Sequence, residues 1–257
     1  MTKELIKNIS CVMIAKDAEA TIKNVLDALR EFEDVVIYSN NSTDKTDEIA
    51  KSYSNINLIQ GDFLGFGPTK NKATTFAKNE WILSLDADEV LSQEFVDNLR
   101  VLQLNEKSIY TILRTNYYKT TQVKHCWGND IITRVYNRSK TSFTDKKVHE
   151  KIIQDGFKME SIDGAIKHYP YSTITDFIVK LDRYSSIYAN DNVGKKSSSP
   201  LKASLNGIYS FFKTYFLKRG FLDGYAGLGI AFSHMATNFY KYIKLYEMNR
   251  ELESKKV

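Results

Sequence analysis

Two aspartates, Asp86 and Asp88, stand one residue apart at the end of the apolar stretch WILSLDADEV. Like charges at this spacing repel each other, and unpaired carboxylates are rarely buried. In an Asp-x-Asp turn both side chains can face one hard cation, and oxygen ligands suit Mg²⁺ or Mn²⁺. A bound cation would offset the repulsion and attract a diphosphate. The pair predicts a divalent metal site, with a solvated turn as the alternative.

The stretch GDFLGFGPTKNKA (61–73) is typical of a helix start that approaches an anion. Its glycines permit a close approach, and a helix that begins near Pro68 or Thr69 would offer backbone N–H groups. Lys70 and Lys72 add positive charge. The stretch has no Walker-loop Gly-Lys-Ser/Thr, and Lys70 stands where a Rossmann fingerprint has its third glycine. A plain loop before a solvated helix is the alternative.

A third group of reactive side chains comes from the segments WGND, RVYNR and VHEKI. It offers Asp130 or Glu150 as a general base and Arg134 as a phosphate partner. Because Glu150 follows the strand-like segment KKVH and Asp130 lies in a polar turn, backbone rigidity favours Glu150. The segment HEKII lacks the second histidine of a zinc protease, which excludes that class.

The elements that must position these residues alternate between strand and helix over the first hundred residues. Buried strands are predicted at ISCVMIA, DVVIYS, INLIQ and EWILSLD, with amphipathic helices between them. Ser92 is the expected N-cap of the helix that follows Asp88. This alternation predicts an α/β fold with a mostly parallel central sheet flanked by helices. Such sheets bind ligands at the carboxyl ends of their strands, where Asp86 and Asp88 fall.

The pattern changes from about residue 108. The segments SIYTILRTNYYK, DIITRVYNRS and VHEKIIQDG are predicted as shorter strands in antiparallel or mixed pairing, and the chain beyond HYPYS is predicted to be helical. We therefore expect an α/β half over 1–105, a second half of the same domain over 106–173, and a C-terminal helical region over 174–257.

Composition narrows the protein class. A hydrophobic content of 42%, a charged content of 26% and a net charge of +5 are ordinary for a globular domain. Two cysteines provide no disulfide framework, which favours a reducing compartment. The N-terminal segment lacks the apolar core of a signal peptide, and no stretch is long and apolar enough for a membrane span. These features predict a cytoplasmic protein with no nucleic-acid partner.

The C-terminal region is basic and aromatic. Residues 200–257 hold nine Lys and Arg against four Asp and Glu, interspersed with Phe and Tyr. Lys213, Lys218 and Arg219 lie beside bulky rings, as in interfacial helices that contact anionic headgroups. A peripheral position on the inner-membrane surface is one expectation. A solvated helical surface, or a helical subdomain packed on the core or on a dimer partner, is the other.

Several motifs together resemble a known family. The segments ISCVMIAKDAEATI, SNNSTDKT, GFGPTKNKA and LSLDADE are similar to the successive strand and loop motifs of glycosyltransferase family 2 enzymes of the GT-A (Rossmann-like) fold. The segments RVYNRSKTSFTDKKVHEKI, HYPY and KRGFLDGYAGLGIA resemble the lipopolysaccharide core-type members of that family. The resemblance covers most of the chain. It implies a nucleotide-sugar-binding half over 1–105 and an acceptor and catalytic half over 106–173.

The resemblance implies an inverting transfer of a sugar from a nucleotide-sugar, most often a UDP-sugar, to a hydroxyl of a glycan or glycolipid acceptor. By motif matching Asp88 would ligate the divalent metal, and Asp86 would lie near the ribose and the water shell of the metal. Arg134 would steady the leaving diphosphate. Glu150 and Asp130 are the candidates for the base that takes the proton of the acceptor.

The resemblance also assigns donor-binding positions. Ala15 and Asp17 would lie by the nucleotide base, and Lys70 or Lys72 near the base or a phosphate. The family usually carries an acid at the end of the second strand, where this chain has Ser39. A hydroxyl can hydrogen-bond a base or ribose without supplying charge.

The sequence leaves one alternative binding residue and two alternative functions. Asn40 or Asn41 is a substitute for the missing acid. A nucleotidyltransferase on a related sheet also uses metal-bound carboxylates, although its glycine-rich loop after the first strand is absent from AKDAEATI. A non-catalytic GT-A-like binding protein is the second alternative function.

Overall fold

The computed structural model describes residues 5–254, which separate into two compact units. The first unit runs to Thr115 and resumes over Asn129–Tyr169, and the second holds Asn116–Gly128 and the chain from Pro170 onward. The outermost residues of the predicted ranges 1–105 and 174–257 lie outside the described residues.

The first unit contains a sheet of strands and four helices, counted over the described residues. The strands wholly within this unit are β1 (Ile9–Ala15), β2 (Val35–Ser39), β3 (Ile56–Gln60), β4 (Trp81–Ser84), β5 (Glu89–Leu91) and β8 (Asn129–Asn137). Most of β6 (Ser108–Tyr118) and β9 (Lys158–Tyr171) also belongs to it. The helices are α1 (Glu19–Ala28), α2 (Thr46–Lys51), α3 (Phe66–Thr74) and α4 (Gln93–Val101).

The strand order of the sheet is β3-β2-β1-β4-β8-β6-β9-β5. Strands β3, β2, β1 and β4 are parallel, and the β4/β8, β8/β6 and β9/β5 pairs are antiparallel. The predicted α/β fold with parallel strands in its first half is confirmed, as is the change of pairing after residue 108. Because β1, β2 and β4 are parallel, the loops that follow Ala15, Ser39 and Ser84 leave the same edge of the sheet.

The structure confirms one predicted helix cap and corrects two other predictions, a helix start and a strand. The Ser92 hydroxyl accepts the Phe95 N–H at 3.2 Å, so the predicted N-cap of α4 is confirmed. The helix predicted to begin near Pro68 begins at Phe66. The strand predicted at VHEKIIQDG is wrong, because the only strand contact there is an isolated bridge between Phe143 and Ile152.

The second unit is mainly helical. Its helices are α5 (Ile174–Asn192), α6 (Pro200–Phe212) and α7 (Gly224–Ser254), with a π-helical turn at Lys213–Leu217 and a 3₁₀ turn at Gly220–Asp223. A two-residue strand, β7 (Thr121–Gln122), pairs with the end of β6. None of the helices in residues 5–254 is long and apolar enough to cross a membrane.

In the segment KRGFLDGYAGLGIA, the contacts of Asp223 and Gly227 explain why an acid and a glycine stand at these two positions. The Asp223 carboxylate accepts the N–H groups of Lys124, His125 and Cys126 at 2.8–3.2 Å, and lies 2.8 Å from His125 Nδ1. A Cβ at Gly227 would lie 1.8 Å from a backbone carbonyl oxygen of the 3₁₀ turn. These contacts fix the 124–126 loop against the start of α7, so this segment stabilises the second unit.

Candidate active site

Seven charged side chains of the first unit form one continuous series of alternating charge, which we name the ion-pair chain. Its members, in order of contact, are Glu150, Lys70, Asp86, Arg134, Glu89, Arg114 and Asp130. Four acids face three bases, so the series carries one excess negative charge. The structure therefore places five of the sequence-predicted site residues in a single contact network.

Asp86 is the third member of the ion-pair chain and lies two residues beyond the end of β4. Its Oδ1 is 3.0 Å from Lys70 Nζ, and its Oδ2 is 2.7 Å from Arg134 Nη2. Burial raises the pKa of the Asp86 carboxyl, but the charges of Arg134 and Lys70 outweigh burial and hold this pKa well below its ordinary value. Asp86 is thus a carboxylate with a cation on each oxygen.

Lys70 joins Asp86 to Glu150. Its Nζ lies 2.9 Å from Glu150 Oε1, and its side chain is nearly buried on the inner face of α3. Burial lowers the pKa of the Lys70 ammonium, but the Asp86 and Glu150 carboxylates raise it by more. The pKa of Lys70 is therefore above its ordinary value. Lys72 is exposed instead, with its ammonium 5.7 Å from the centre of the Tyr38 ring.

Glu89 is a member of the site that sequence reasoning missed. Its side chain is fully buried, and its Oε1 lies 2.5 Å from Arg134 Nη2 and 3.3 Å from Arg114 Nη1. Its Oε2 accepts the Asp86 N–H at 3.2 Å. The available signal was a third acid directly after Asp88 in DADE, because a buried carboxylate requires cationic partners.

Asp130 occupies a rigid position rather than the predicted polar turn. It is the second residue of β8 and stands opposite Arg114 of β6, whose Nη2 lies 2.9 Å from its carboxylate. Its side chain is 45% exposed, whereas that of Glu150 is 14% exposed. The backbone argument that favoured Glu150 over Asp130 is therefore wrong.

Glu150 is carried by a loop that packs against the start of α3. The N–H groups of Phe66 and Gly67 donate to the carbonyls of Lys147 and Lys146, at 3.0 and 3.1 Å. A Cβ at Gly67 would lie 2.0 Å from the carbonyl oxygen of Thr144, so only glycine permits this approach. The first amides of α3 bind this loop, and the predicted anion site at the helix start is wrong.

Asp88 lies two residues beyond Asp86 in a different environment. Its side chain is 33% exposed, like that of Asp86, but its contact is a histidine, with Oδ2 3.5 Å from His168 Nε2. The Asp88 carbonyl accepts the Tyr169 N–H at 2.9 Å, and Glu89 pairs with His168 across β5 and β9. The sequence assigned His168 no role, because 80 residues separate it from Asp88 and only strand pairing brings the two together.

The predicted donor-binding residues of β1 and β2 lie at the shared carboxyl edge of the sheet. Ala15 and Ser39 are register partners, both buried, and the Ser39 hydroxyl lies 3.1 Å from Ser42 Oγ. Asp17 is exposed, and its Oδ1 accepts the N–H and hydroxyl of Thr43 at 2.7 and 3.1 Å.

The turn after β2 has a left-handed residue at its centre. Asn41 has a φ of 55°, is exposed, and donates from its side chain to Asp62 Oδ1 at 3.4 Å. Asn40 is buried, and its N–H donates to the Ala15 carbonyl at 2.8 Å. Asn41 is therefore the more accessible of the two asparagines weighed as substitutes for the missing acid.

The residues suit a divalent cation that shares its coordination with a substrate. Among the residues that the structure describes, no three His, Cys, Asp or Glu side chains are grouped as a self-sufficient metal site. Mg²⁺ is commonly bound by one or two carboxylates together with substrate phosphates. The partly exposed Asp88 carboxylate beside His168 fits that mode, whereas Asp86, exposed to the same fraction, already has two cationic partners.

Comparison with known proteins assigns a family. The profile of glycosyl transferase family 2 matches residues 10–155, a range that includes the whole ion-pair chain. A Rickettsia typhi protein named as an uncharacterized glycosyltransferase is 30% identical over 260 residues, which cover 95% of this chain and 88% of the relative. A similarly named Rickettsia bellii protein is 29% identical over 265 residues, covering 97% and 90%.

A third relative carries a more specific name. The lipopolysaccharide core biosynthesis glycosyltransferase LpsC of Rhizobium meliloti is 24% identical over 252 residues, which cover 93% of this chain and 92% of the relative. The profile match spans more than half of the sequence, and the predicted resemblance is confirmed. The chain belongs to glycosyl transferase family 2.

Proposed function

We propose that this glycosyltransferase is an inverting, metal-dependent enzyme that moves a sugar from a nucleotide-sugar to a hydroxyl of a glycan acceptor. The observation that carries the proposal is the contrast between two neighbouring acids at the carboxyl edge of the parallel strands. Both side chains are 33% exposed, but Asp86 has a cation on each oxygen, whereas Asp88 has its Oδ2 3.5 Å from His168 Nε2. One acid organises cations for a diphosphate, and the other provides a metal ligand.

The donor side of the reaction uses charge neutralisation. Departure of the leaving group places negative charge on a diphosphate, and Mg²⁺ or Mn²⁺ bound at Asp88 and His168 would supply Lewis-acid stabilisation of that charge. Lys70 and Arg134 are buried cations held in place by Asp86, so they are already positioned, and each would exchange a carboxylate contact for a phosphate oxygen. A UDP-sugar as the donor remains a prediction.

The acceptor side requires a base away from the metal ligands. Glu150 Oε1 and Asp86 Oδ1 both lie within 3.0 Å of the same Lys70 Nζ, which supports Glu150 as the base adjacent to the donor site. Asp130 stands at the opposite end of the ion-pair chain and is the alternative. A positioned base contributes about 10²–10⁴-fold to a transfer rate.

The acceptor is proposed to be the lipopolysaccharide core or another cell-surface glycolipid. The support is the LpsC relative, which is similar over nearly the full length of both chains.

The first experiment removes the proposed metal ligand. Nucleotide-sugars are screened for protection against thermal unfolding with Mn²⁺ present, since ligand at 100 times its dissociation constant stabilises by about 2.7 kcal/mol. With the donor found, Asp88→Asn should lower turnover by about 10²–10³-fold, because it removes a charge and keeps the side-chain shape. The exposed Asp155→Asn is the matched control. Full turnover by Asp88→Asn, or turnover unaffected by chelation, would contradict the metal assignment.

A second experiment separates the two candidate bases. Glu150→Gln should lower transfer by about 10²–10⁴-fold while donor protection in the thermal assay is retained. Asp130→Asn should have the smaller effect on transfer. The reverse ranking would assign the base to Asp130, and equal retention of activity by both variants would exclude both acids.

A further inference from the structure

Helix α6 of the second unit has small side chains on its buried side and large apolar side chains on its exposed side. Ala203 and Gly207 are buried, and a Cβ at Gly207 would lie 3.2 Å from the Met235 carbonyl oxygen of α7. Five large apolar side chains of the same helix are 48–69% exposed: Leu201, Leu205, Ile208, Tyr209 and Phe212. This distribution is opposite to that of an ordinary amphipathic helix, which buries its large apolar residues.

The exposed apolar side chains continue beyond α6 into the turns and the start of α7. The further members are Phe216, Leu217, Phe221, Leu222, Tyr225, Leu228 and Phe232, each 39–62% exposed. Together with the five residues of α6 they are named the apolar face. Exposed apolar side chains that follow one another through a whole segment mark an interaction surface rather than scattered surface residues.

The segment that carries the apolar face is rich in basic residues and poor in acidic ones. Residues 192–246 contain a single acidic residue, Asp223, which is buried and accepts bonds from the 124–126 loop. Six exposed basic residues lie in the same segment: Lys195, Lys196, Lys202, Lys213, Lys218 and Arg219. An apolar helical surface in a segment whose exposed charges are basic matches the interfacial region of an anionic bilayer.

We propose that the apolar face binds the surface of an anionic lipid membrane, with its aromatic and aliphatic side chains at the level of the headgroups. A second copy of the chain fits this surface poorly, because a symmetric contact would bring the same unbalanced cations together. No described helix is long and apolar enough to cross the membrane, so the contact is in the interface plane. Membrane binding would place the enzyme beside a lipid-linked acceptor, and this last step depends on the proposed function.

The test uses the full chain and vesicles of phosphatidylcholine containing about one quarter phosphatidylglycerol, which are anionic like the proposed target. The variant Leu205→Ser, Ile208→Ser, Phe212→Ser removes apolar surface at positions that are already about half or more exposed. It should lower vesicle partitioning by about tenfold or more, because each side chain contributes buried apolar area. The control Val101→Ser, Ile131→Ser changes side chains 75% and 74% exposed in the first unit and should bind normally.

A second variant tests the charges separately. Lys213→Gln, Lys218→Gln, Arg219→Gln should bind more weakly and with a weaker salt dependence than the unmodified protein, since surface attraction is screened at about 8–10 Å under ordinary salt. Vesicles of phosphatidylcholine alone should bind the unmodified protein less than anionic ones.

Three outcomes would overturn the proposal. They are no binding of the unmodified protein to anionic vesicles, equal binding by the apolar-face variant, and a dimer in sedimentation velocity that this variant abolishes. Thermal unfolding of each variant reports whether the fold is retained. Vesicle binding is measured without donor or metal, so a failure of the proposed catalytic chemistry leaves this test unaffected.

Discussion

Each unit of the molecule buries a carboxylate, and the two are stabilised by different partners. Glu89 of the first unit is fully buried against the guanidinium groups of Arg134 and Arg114. Asp223 of the second unit is 5% exposed and accepts three backbone N–H groups and contacts the His125 ring. Both solutions offset the cost of desolvating a carboxylate, one mainly with charges and the other mainly with amides.

The difference indicates what each carboxylate is for. The cations around Glu89 also contact Asp86 and Asp130, so these side chains can exchange one anionic partner for a phosphate oxygen. The amides around Asp223 belong to the backbone and have no second anion within the described contacts. The first arrangement suits ligand binding, and the second suits the fixing of a loop.

The largest expected effect follows removal of the charge-paired acid. Glu89→Ala leaves Arg134 and Arg114 without their buried partner, and breaking a buried ion pair costs about 3–5 kcal/mol of unfolding free energy. Urea unfolding followed by circular dichroism measures it. The control is Glu80→Ala, whose exposed carboxylate lies 3.6 Å from Arg138 and should cost less than about 1 kcal/mol. Equal effects of the two variants would show that Glu89 stabilises nothing by its charge.

A smaller effect is expected at the amide-bonded acid. Asp223→Asn keeps one acceptor oxygen and turns an NH₂ group toward backbone N–H donors, so the variant should lose about 1–3 kcal/mol of unfolding free energy. Burial raises the pKa of the Cys126 thiol to about 12, which makes it unreactive while the loop is closed. We expect thiol labelling of Cys126 to accelerate by about tenfold or more in Asp223→Asn, since labelling requires local opening.

The second cysteine provides the internal control for that experiment. Cys11 lies in β1 of the first unit, is fully buried, and burial raises the pKa of its thiol. Its labelling rate should change much less than that of Cys126 in Asp223→Asn. Equal acceleration at both thiols would mean that Asp223 supports global stability and not the 124–126 loop in particular.

Sequence reasoning succeeds where the pattern that identifies an element is local. Asp86 and Asp88 were singled out because a buried apolar strand followed by paired acids is a local pattern; the strand is confirmed as β4, and the metal role of the pair stays a prediction. The parallel strands were predicted for the same reason, since near-continuous apolar runs identify strands covered on both faces. By contrast β9 alternates charged, small and aromatic residues, carries no clear apolar period, and was not predicted.

The missed site residues share a physical cause. Arg114 meets Asp130 only across the β6/β8 pairing, and His168 meets Asp88 only through the β5/β9 pairing. Contacts of this kind depend on strand register, which no local spacing reveals. Gly67 belongs to the stretch whose glycines were predicted to permit a close approach, and the group that approaches it is the carbonyl of Thr144. A glycine indicates a close approach, and the sequence does not identify the approaching group.

The smallest expected effect is a difference in acid sensitivity, again at Asp223. Burial raises the pKa of the Asp223 carboxyl, but hydrogen bonds from the Cys126 N–H and the His125 ring outweigh it, so the folded-state pKa is depressed. A depressed folded pKa stabilises the fold above the unfolded value of about 3.9, and this stabilisation is lost as the pH falls through the folded value. The unfolding free energy of the unmodified protein should therefore decline below about pH 5.

Asp223→Asn should decline less steeply over the same range, so the two proteins should approach each other in stability as the pH falls. Some acid sensitivity should remain in the variant, because Arg134 and Lys70 also depress the pKa of Asp86 in the first unit. Urea unfolding at a series of pH values from about 6 to 3 measures the two slopes. Parallel slopes would show that the Asp223 carboxylate is no better stabilised in the folded protein than in the unfolded chain, and that its amide contacts supply shape without charge stabilisation.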